Sequence, residues 1–435
     1  MKSSLTIVIL AAGKGTRMKS SKPKVLHKIA NKEMILHVID VSKKLNPDNL
    51  YVVLGKKSDD IKRILPKNTG VIIQSNPLGT ADALLSTKDK VLKKNGKLLV
   101  LYGDVPLLEH KTLKKLLKGA NQNISMLGFE SLLPKGYGRI IKVFKKVKKV
   151  VEQQDLKFEE KNIKLCYSGI FCGSVQTIFK LLNKVKKNKN QKEFLLTDIF
   201  SRASIENISI SLVMADENEV MGVNNLLQLS KADDFFQKKL KESFLIKGVI
   251  IENPKSVYLS HDIKIDANVT IGPNNYFGEE VVIKKNCLIE SNNNIKSTII
   301  NEGTSIGPFS RLRNNTVIGK NVKIGNYVEV KNSYIGNYSK INHLTYIGDA
   351  IVGAKTNIGA GTITCNYDGK KKYKTKIGNN VFVGSNCSLI APIEIGNNAF
   401  VAAGSTISDD LNKNDFSIAR AKQKIIKKAS KRFLK

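Results

Sequence analysis

The sequence SIGPFSRLRNNTVIGKNVKIGNYVEV, residues 305–330, carries an aliphatic residue at every sixth position. The same period continues downstream with short slips in register, and glycine often follows the repeated residue. The repeated positions are Ile306, Leu312, Ile318, Ile324, Val330, Ile335, Ile341, Ile347, Val352, Ile358, Thr364, Ile377, Val383, Leu389, Ile395, Val401 and Ile407. A six-residue period is typical of a parallel β-helix, because each coil stacks its inward side chains on those of the next. We therefore predict an all-β solenoid here.

The first half of the chain has a different rhythm, in which short apolar runs alternate with helical stretches. Strands are predicted at 5–13, 50–55, 70–74 and 97–108, and helices at 34–45 and 80–94. This alternation predicts an α/β, doubly wound, Rossmann-like domain with a parallel sheet. Ligands of such sheets bind beyond the carboxyl ends of the strands, which is where Gly13 and Asp104 fall.

The two patterns divide the 435-residue chain. We predict an α/β domain over 1–225, a helical linker over 226–247, the β-helix over 248–421 and a basic tail over 422–435. No apolar run approaches the ~18 residues of a membrane helix, so we expect no stable membrane insertion. The five cysteines are scattered without a C-x-x-C pair, which favours a reducing, cytoplasmic location.

The formal net charge of +35 is compatible with nucleic-acid binding. However, the lysines are spread along the whole chain, and they are not clustered with the interleaved aromatic residues that single-strand binding uses. We therefore expect phosphorylated small-molecule substrates and no nucleic acid. Arginine is rare, and its planar fork of donors suits phosphate binding. Four of the eight arginines, Arg17, Arg139, Arg313 and Arg420, stand in candidate motifs.

The segment LAAGKGTRMKSSKPK, residues 10–24, follows the first predicted strand. A glycine-rich turn in this place lets backbone amides approach phosphate groups closely. The spacing fits neither the Walker A motif nor the dinucleotide-binding motif. Arg17 and Lys24 follow the turn and can neutralise a triphosphate. Asp104, in YGDVP after another strand, is a candidate Mg²⁺ ligand.

This segment is similar to the signature L-A-A-G-x-G-T-R-M, followed by K-P-K, of sugar-nucleotide pyrophosphorylases. Joined to a hexapeptide solenoid, it resembles the bacterial family of bifunctional N-acetylglucosamine-1-phosphate uridyltransferases/glucosamine-1-phosphate acetyltransferases over nearly the whole chain. The resemblance implies a left-handed β-helix and a homotrimer with acetyl-transfer sites between subunits. It also implies Mg²⁺ as cofactor, with UTP and acetyl-CoA as co-substrates.

For the first half, the resemblance assigns residues to UTP and the UDP-sugar. The nucleotide would contact Leu10, Ala11, Ala12, Gly13, Arg17, Lys24, Gln74, Gly79, Thr80, Tyr102, Gly103 and Asp104, and the sugar would contact Gly138, Glu152 and Tyr167. Asp104 and Asn224 would bind Mg²⁺. Two segments depart from the family pattern, because Tyr167 stands where asparagine is usual and Ala81-Asp82 stand where Gly-His is usual.

For the second half, the resemblance makes His343 the general base, since a neutral imidazole can take a proton from an amine near pH 7. The sugar phosphate would contact Arg313, Lys331, Tyr346 and Asn357, and acetyl-CoA would contact Ala360, Asn366, Tyr367, Ser385, Ala403 and Arg420. Residues 365–376, CNYDGKKKYKTK, interrupt the six-residue period and predict a loop.

The implied function is acetylation of glucosamine-1-phosphate by acetyl-CoA, followed by uridylyl transfer from UTP to N-acetylglucosamine-1-phosphate with release of pyrophosphate. The product, UDP-N-acetylglucosamine, would supply peptidoglycan and lipopolysaccharide synthesis. One alternative is a monofunctional sugar-1-phosphate nucleotidyltransferase with a purely structural β-helix. A more distant alternative is a nucleic-acid-binding or regulatory protein that uses the positive charge.

Overall fold

The computed structural model describes residues 4–13, 15–188, 190 and 192–433. The chain divides into two compact units between Phe236 and Gln237. Within the described residues, every helix is too short or too polar to cross a membrane. The domain boundaries at 225, 247 and 421 remain predictions from the sequence.

Among its described residues, the first unit contains eleven strands, seven complete α-helices and the beginning of an eighth. Its strands are β1 (Leu5–Leu10), β2 (Lys28–Ile29), β3 (Lys32–Glu33), β4 (Asn49–Gly55), β5 (Gly70–Gln74), β6 (Lys97–Tyr102), β7 (Ile124–Glu130), β8 (Gly138–Val143), β9 (Lys146–Val151), β10 (Leu165–Ser174) and β11 (Ile210–Met214). The α-helices are α1 (Met34–Lys43), α2 (Asp59–Ile64), α3 (Thr80–Leu85), α4 (Lys88–Val91), α5 (His110–Gly119), α6 (Val175–Leu182), α7 (Asp198–Ile205) and α8 (Leu226–Ile246).

The main sheet has the strand order β11-β7-β10-β6-β1-β4-β5. Strands β1, β4, β5 and β6 are parallel to one another, as the doubly wound prediction requires. Strand β10 runs antiparallel to both β6 and β7, and it also carries the β8–β9 hairpin. Leu10 of β1 and Tyr102 of β6 are register partners, so the residues that follow these two strands emerge at one edge of the sheet.

Alternating side chains of the central strands feed two separate hydrophobic cores, one on each face of the sheet. Ile7 and Ile9 of β1 point into one core, and Val8 and Leu10 point into the other. Both faces of the parallel strands are therefore buried, which explains why β1 is a continuous apolar run instead of an alternating one.

The single helix predicted over 80–94 is wrong, because the structure has two short helices, α3 and α4. The Thr87 hydroxyl donates to the Leu84 carbonyl at 2.7 Å, and the Ser86 hydroxyl donates to the Ala83 carbonyl at 2.7 Å. Short hydroxyl side chains that bond to nearby carbonyls compete with the regular helical bonds. This competition accounts for the break between the two helices.

The boundary between the two units falls within helix α8, and each part of the helix is packed in its own unit. Ala232 is buried in a small core of the first unit together with Met34 and Val223. Phe244 is buried in the core of the second unit. Gln237 donates to the Leu259 carbonyl at 2.7 Å and accepts from the Leu259 amide at 3.0 Å.

The second unit is a three-faced parallel β-helix. Face 1 contains Ile250–Ile251, Thr270–Ile271, Leu288–Ile289, Ser305–Ile306, Lys323–Asn326, Lys340–His343, Asn357–Ile358, Phe382–Val383, Phe400–Val401 and Phe416–Ser417. Face 2 contains Tyr258–Leu259, Tyr276–Phe277, Asn294–Ile295, Arg311–Arg313, Glu329–Lys331, Tyr346–Gly348, Ile363–Cys365, Ser388–Ile390 and Thr406–Ile407. Face 3 contains Lys264–Ile265, Val281–Ile283, Thr298–Ile300, Thr316–Ile318, Tyr334–Ile335, Ala350–Val352, Thr375–Ile377 and Ile393–Ile395.

The predicted inward positions all lie in the interior of this solenoid. Every residue of the six-residue repeat, from Ile306 to Ile407, is at most 3% exposed. The β-helix predicted from the six-residue period is therefore confirmed in its packing, and coils before residue 306 extend the same core back to Val249.

Two corners of the solenoid contain residues that the sequence analysis placed in binding sites. The first corner joins face 1 to face 2 and includes residues 343–345, 359–362, 384–387 and 402–405. The second corner joins face 2 to face 3 and includes residues 332–333, 349 and 366–374. The predicted loop lies at the second corner, where Tyr367 and Lys372 form an isolated antiparallel bridge. The tail is exposed, with a short 3-10 turn at Ala429–Arg432, and Leu434 and Lys435 fall outside the described residues.

Candidate functional sites

A cavity of about 560 Å³ opens at the carboxyl ends of β1 and β6. Its lining includes most of the residues predicted to bind the nucleotide. These lining residues are Leu10, Ala11, Ala12, Gly13, Arg17, Lys24, Gln74, Gly79, Thr80, Tyr102, Asp104 and Asn224, with Val25, Pro77, Ala83 and Glu193 in addition. Gly103 lies beside them, because a Cβ built on it would meet the Ala11 Cβ at 3.1 Å.

Basic and oxygen-bearing side chains converge on one side of this cavity. The Lys24 ammonium contacts the Asp104 carboxylate and lies 3.2 Å from Asn224 Oδ1. Arg17 donates to the same Asn224 oxygen at 2.9 Å. The Val223 amide donates to the Asp104 carbonyl at 2.9 Å, which holds the later segment beside the earlier one.

These contacts test whether Asp104 and Asn224 fit Mg²⁺. Both side-chain oxygens point at one cationic centre, the Lys24 ammonium, so the pair already forms a cation site with the oxygen ligands that Mg²⁺ prefers. Within the described residues, no three acidic, histidine or cysteine side chains cluster closely enough to hold a metal. A Mg²⁺ ion here would therefore take its other ligands from phosphate and water.

The far side of the cavity contains a buried amide. Gln74 Nε2 donates to Asp82 Oδ2 at 2.7 Å and to the Gly79 carbonyl at 3.2 Å. Gly79 has φ +119°, and a Cβ on it would meet the Phe194 carbonyl oxygen at 2.5 Å. Glycine is therefore required at this position for two reasons, its backbone conformation and the close approach of another chain segment.

The residues predicted to contact the sugar form a group beside Tyr102. Gly138 and Tyr167 are register partners in β8 and β10, and a Cβ on Gly138 would lie 3.7 Å from Glu152 Oε2. Glu152 accepts from the Thr197 hydroxyl at 3.0 Å. Burial raises the pKa of Glu152, although the hydrogen bond from Thr197 opposes this shift.

Tyr167, which stands where asparagine is usual, is buried. Its ring packs edge to face on Phe200 with centroids 5.1 Å apart, and its hydroxyl has no hydrogen-bond partner among the described residues. Burial, together with the nearby Tyr102 and Glu152, raises the pKa of Tyr167. Arg139 is also buried and donates to Gln153 Oε1 at 3.3 Å, so its fork is used within the fold.

His343 lies at the end of a face 1 strand, at the first corner, with an exposed ring. Its Nδ1 is 2.7 Å from Asn326 Oδ1, and the two residues are register partners in neighbouring coils. Because an amide oxygen only accepts hydrogen bonds, this contact favours the tautomer in which Nδ1 carries the proton. The other nitrogen, Nε2, then keeps its lone pair and can accept a proton.

Arg313 and Lys331 are register partners at the end of face 2, each held by a carboxylate one coil away. Arg313 Nε donates to Glu329 at 2.6 Å. Lys331 Nζ donates to Asp349 Oδ2 at 3.1 Å, and both side chains are about 10% exposed. The Tyr346 side chain also lies at this end of face 2, since a Cβ built on Gly348, the register partner of Lys331, would meet the Tyr346 hydroxyl at 2.3 Å.

Asp349 is the centre of a buried hydrogen-bond network at the second corner. It accepts from Lys331, from Asn332 Nδ2 at 2.6 Å and from Asn366 Nδ2. Burial alone would raise the pKa of Asp349, but these three donors outweigh it and hold the pKa below its usual value. Burial likewise disfavours the Lys331 ammonium, yet the ion pair raises its pKa above the usual value.

The residues predicted to bind acetyl-CoA fall at both corners of face 2. His343, Ala360, Ser385 and Ala403 occupy one column of the first corner, because their coils are paired in register. Arg420 donates to the Ala403 carbonyl at 2.9 Å. Asn366 and Tyr367 lie at the second corner, and Asn357 opens the face 1 strand that precedes Ala360.

Sequence reasoning missed the residues that support these side chains. They are Thr197, which donates to Glu152, and Asn326, Glu329 and Asp349, which orient His343, Arg313 and Lys331. Asp82 was noted as a departure from the family pattern, but its contact with Gln74 was not predicted. In the solenoid a signal was present, since each partner lies one coil away from the residue it supports, at a spacing of 16–18 residues.

Comparison with known protein families gives three matches. The MobA-like NTP transferase domain matches residues 7–131, the C-terminal domain of GMPPB matches 294–368, and the bacterial transferase hexapeptide (six repeats) matches 374–409. The first match covers most of β1, all of β6 and the cavity residues up to Asp104. The other two matches lie within the β-helix.

Curated relatives match almost the entire chain. A bifunctional protein GlmU of Bartonella quintana (strain Toulouse) is 40% identical over 428 residues, which cover 97% of this chain and 95% of the relative. Proteins with the same name from Clostridium kluyveri (40% identical; 96% of each chain) and from Buchnera aphidicola subsp. Acyrthosiphon pisum (42% identical; 94% and 93%) are comparably similar.

Proposed function

The chain belongs to the family of bifunctional GlmU proteins, and from this membership we infer that it carries out both transferase reactions of UDP-N-acetylglucosamine synthesis. It is a nucleotidyltransferase in its first unit and an acyltransferase in its hexapeptide-repeat unit. The observation that carries this conclusion is that two separate constellations, one around Asp104 and one around His343, each have the side chains that one of the reactions needs.

In the first unit, we propose that the cavity binds UTP with its phosphates against Arg17 and Lys24. The phosphate oxygen of N-acetylglucosamine-1-phosphate would attack the α-phosphorus, and pyrophosphate would leave. This nucleophile is already ionised, so the residues need only position it and stabilise charge. Mg²⁺ bound by Asp104 and Asn224 would supply that charge neutralisation at the phosphates. Gly138, Glu152 and Tyr167 would hold the sugar.

In the second unit, we propose that His343 Nε2 takes a proton from the 2-amino group of glucosamine-1-phosphate. The amine nitrogen would then attack the thioester carbonyl of acetyl-CoA, the carbon–sulfur bond would break, and CoA would leave as the thiol by taking the proton from His343. Asn326 fixes the tautomer that leaves Nε2 free, because its carbonyl accepts from Nδ1 at 2.7 Å. The base is therefore oriented by a residue one coil away.

Arg313 and Lys331 would bind the phosphate of this sugar, with Tyr346 and Asn357 completing its site. The two cations stand in register at the end of face 2, and the fork of Arg313 suits two phosphate oxygens. Acetyl-CoA would lie against the small residues Ala360, Ser385 and Ala403 at the first corner, with Arg420 near its phosphates. Asn366 and Tyr367 would contribute from the second corner.

We further propose that the chain assembles as a homotrimer through its β-helix. Face 3 presents an outward apolar stripe in which Ile299, Tyr334 and Ile351 are 41–45% exposed, and their strands are stacked in parallel. Exposed apolar stripes of this kind typically mark protein interfaces. Acetyl-CoA residues at two corners would then be shared between neighbouring subunits. The location would be cytoplasmic, where the unpaired cysteines stay reduced.

The test is a coupled assay on the purified protein with Mg²⁺, UTP, acetyl-CoA and glucosamine-1-phosphate. The wild type should form UDP-N-acetylglucosamine. His343→Ala should form it only when N-acetylglucosamine-1-phosphate is supplied, and Asp104→Ala should stop after releasing the CoA thiol. His261→Ala, which changes a histidine in an early coil, should behave like the wild type.

The pattern of lost steps separates the competing functions. If the wild type consumes UTP with N-acetylglucosamine-1-phosphate but never releases CoA thiol, the β-helix is a scaffold and the acetyltransferase proposal is wrong. If Asp104→Ala still forms the nucleotide sugar at the wild-type rate, the assignment of the Mg²⁺ site is wrong.

A further inference from the structure

The side-chain amide of Gln74 is held in one orientation by two acceptors. Gln74 is buried and lines the cavity of the first unit. Both hydrogens of its Nε2 have partners, the Asp82 carboxylate at 2.7 Å and the Gly79 carbonyl at 3.2 Å. Its carbonyl oxygen, Oε1, makes no hydrogen bond to any described residue. Because both Nε2 hydrogens are used within the protein, the group that Gln74 has left for a ligand in the cavity is an acceptor, and not a donor.

We propose that Asp82 is a positioning residue for base selection, which locks the Gln74 carbonyl toward the cavity so that the site accepts bases with an imino N–H. This inference rests on the proposed nucleotidyltransferase function and deepens it. Asp82 stands where the family pattern usually has histidine, so the lock belongs to this chain and cannot be transferred from the family.

The orientation of the Gln74 amide is fixed because neither of its two acceptors can become a hydrogen-bond donor. A carboxylate and a backbone carbonyl have no hydrogen to donate. Turning the amide over would place Oε1 against both oxygens and would leave Nε2 facing the cavity. Hydrogen bonds to a charged partner are the stronger kind, so Asp82 contributes more to this preference than Gly79.

The two acceptors are themselves held in place. The Gly79 carbonyl also accepts from the Ala83 amide at 3.1 Å in the first turn of α3. The Ala81 amide donates to the Phe194 carbonyl at 2.9 Å, and the Leu196 amide donates to the Thr80 hydroxyl at 3.0 Å. Asp82 therefore projects from a helix turn that a second chain segment fixes from the other side.

The orientation of the Gln74 amide makes the site selective for uracil over cytosine, because the two bases differ at N3. Uracil carries a hydrogen on N3 and can donate it to the Gln74 carbonyl. Cytosine has an unprotonated N3, an acceptor, which would face the same carbonyl without a hydrogen between them. A site that is built to pair with a donor rejects an analogue that lacks it, because a buried polar group is then left unpaired. Thymine has the same N3–H as uracil, so Asp82 should not separate these two bases.

The experiment compares UTP and CTP as substrates with N-acetylglucosamine-1-phosphate and Mg²⁺, with pyrophosphate release as the readout. Asp82→Ala should lower the ratio of kcat/KM for UTP to that for CTP by about tenfold, mainly through a higher KM for UTP. Asp82→Asn keeps a carbonyl acceptor in the same place and should stay closer to the wild type. Asp89→Ala removes an exposed aspartate in the first turn of α4 and should leave the ratio unchanged.

The ratio distinguishes a positioning role from a merely structural one. If Asp82→Ala lowers kcat/KM for UTP and CTP equally, or leaves the ratio within about twofold of the wild type, the inference is wrong. If the wild type releases no pyrophosphate from UTP, the proposed function fails separately. Calorimetric binding of UDP and CDP to the wild type and Asp82→Ala would still test the lock, which predicts a weaker preference for UDP in the variant, because it lacks the acceptor.

Discussion

Removing Asp349 should destabilise the β-helix more than removing its partner Lys331. The reason is an asymmetry in their hydrogen bonds. Asp349 has three donors, Lys331, Asn332 and Asn366. Lys331 has Asp349 as its acceptor, whereas its neighbour Lys372 carries the same charge, and proximity to Lys331 lowers the pKa of Lys372.

The magnitudes follow from what each substitution leaves behind. Asp349→Ala leaves a largely buried ammonium and two amides without their acceptor, which should cost about 3–5 kcal/mol of unfolding free energy. Lys331→Met fills the same space with an apolar side chain and leaves Asp349 with two amide donors, so the cost should be roughly 1–2 kcal/mol. For a unit of this size, the larger change lowers the melting temperature by roughly 10 °C.

The assay is thermal unfolding of the full chain with and without UTP and Mg²⁺, since a bound ligand raises the transition of the unit that binds it and so identifies the other transition. Asp409→Ala, an exposed aspartate of the same solenoid, is the matched control and should change stability by less than about 0.5 kcal/mol. A larger loss for Lys331→Met than for Asp349→Ala would refute the asymmetry.

Three further outcomes are expected. Burial raises the pKa of Glu219 to about 7 from its usual 4.5, so the folded first unit binds more protons than the unfolded chain and loses stability as pH rises between these values. Glu219→Gln should remove that pH dependence in melting curves from pH 4 to 8, while the exposed Glu159→Gln should keep it. Gly79→Ala should weaken UTP binding and stability more than Gly136→Ala, because both have positive φ but only the first meets the Phe194 carbonyl; equal effects would show that the contact is unimportant. EDTA should stop pyrophosphate release and leave CoA release intact, and loss of both would contradict a metal site confined to Asp104 and Asn224.

The solenoid could be predicted from the sequence because its core is one-dimensional. Each inward position is defined by its spacing from the last, so every repeated residue from Ile306 to Ile407 is buried as expected. The α/β unit was predicted less completely. Its parallel strands are apolar runs that local pattern reveals, but the antiparallel insertion of β10 between β6 and β7 depends on contacts between distant segments, which local pattern does not encode.

Gly13 and Asp104 could be placed at the cavity from the pattern alone, because they follow strands and parallel strands bring their carboxyl ends to one edge. Most of the other cavity residues were assigned by the family resemblance. The orienting partners were not predictable in this unit. Asp82 stood out only as a departure from the family pattern, and Thr197 lies 45 residues beyond Glu152. Only the folded chain shows that these two residues contact Gln74 and Glu152. The break between α3 and α4 depends on the hydroxyls of Ser86 and Thr87, which helical periodicity ignores.

In the β-helix, by contrast, supporting residues obey the same spacing rule as the core. Asn326 supports His343 from 17 residues away, Glu329 supports Arg313 from 16, and Asp349 supports Lys331 from 18. A coil of this solenoid has about that length, so a residue contacts its register partner in the next coil, as His343 does, or a residue one or two positions from that partner. It follows that the residues supporting a site on such a fold can be predicted from the sequence. They are complementary side chains that lie 16–18 residues before or after each candidate residue. The rule has no counterpart in the α/β unit, where neighbouring strands are separated by helices and loops of unequal length.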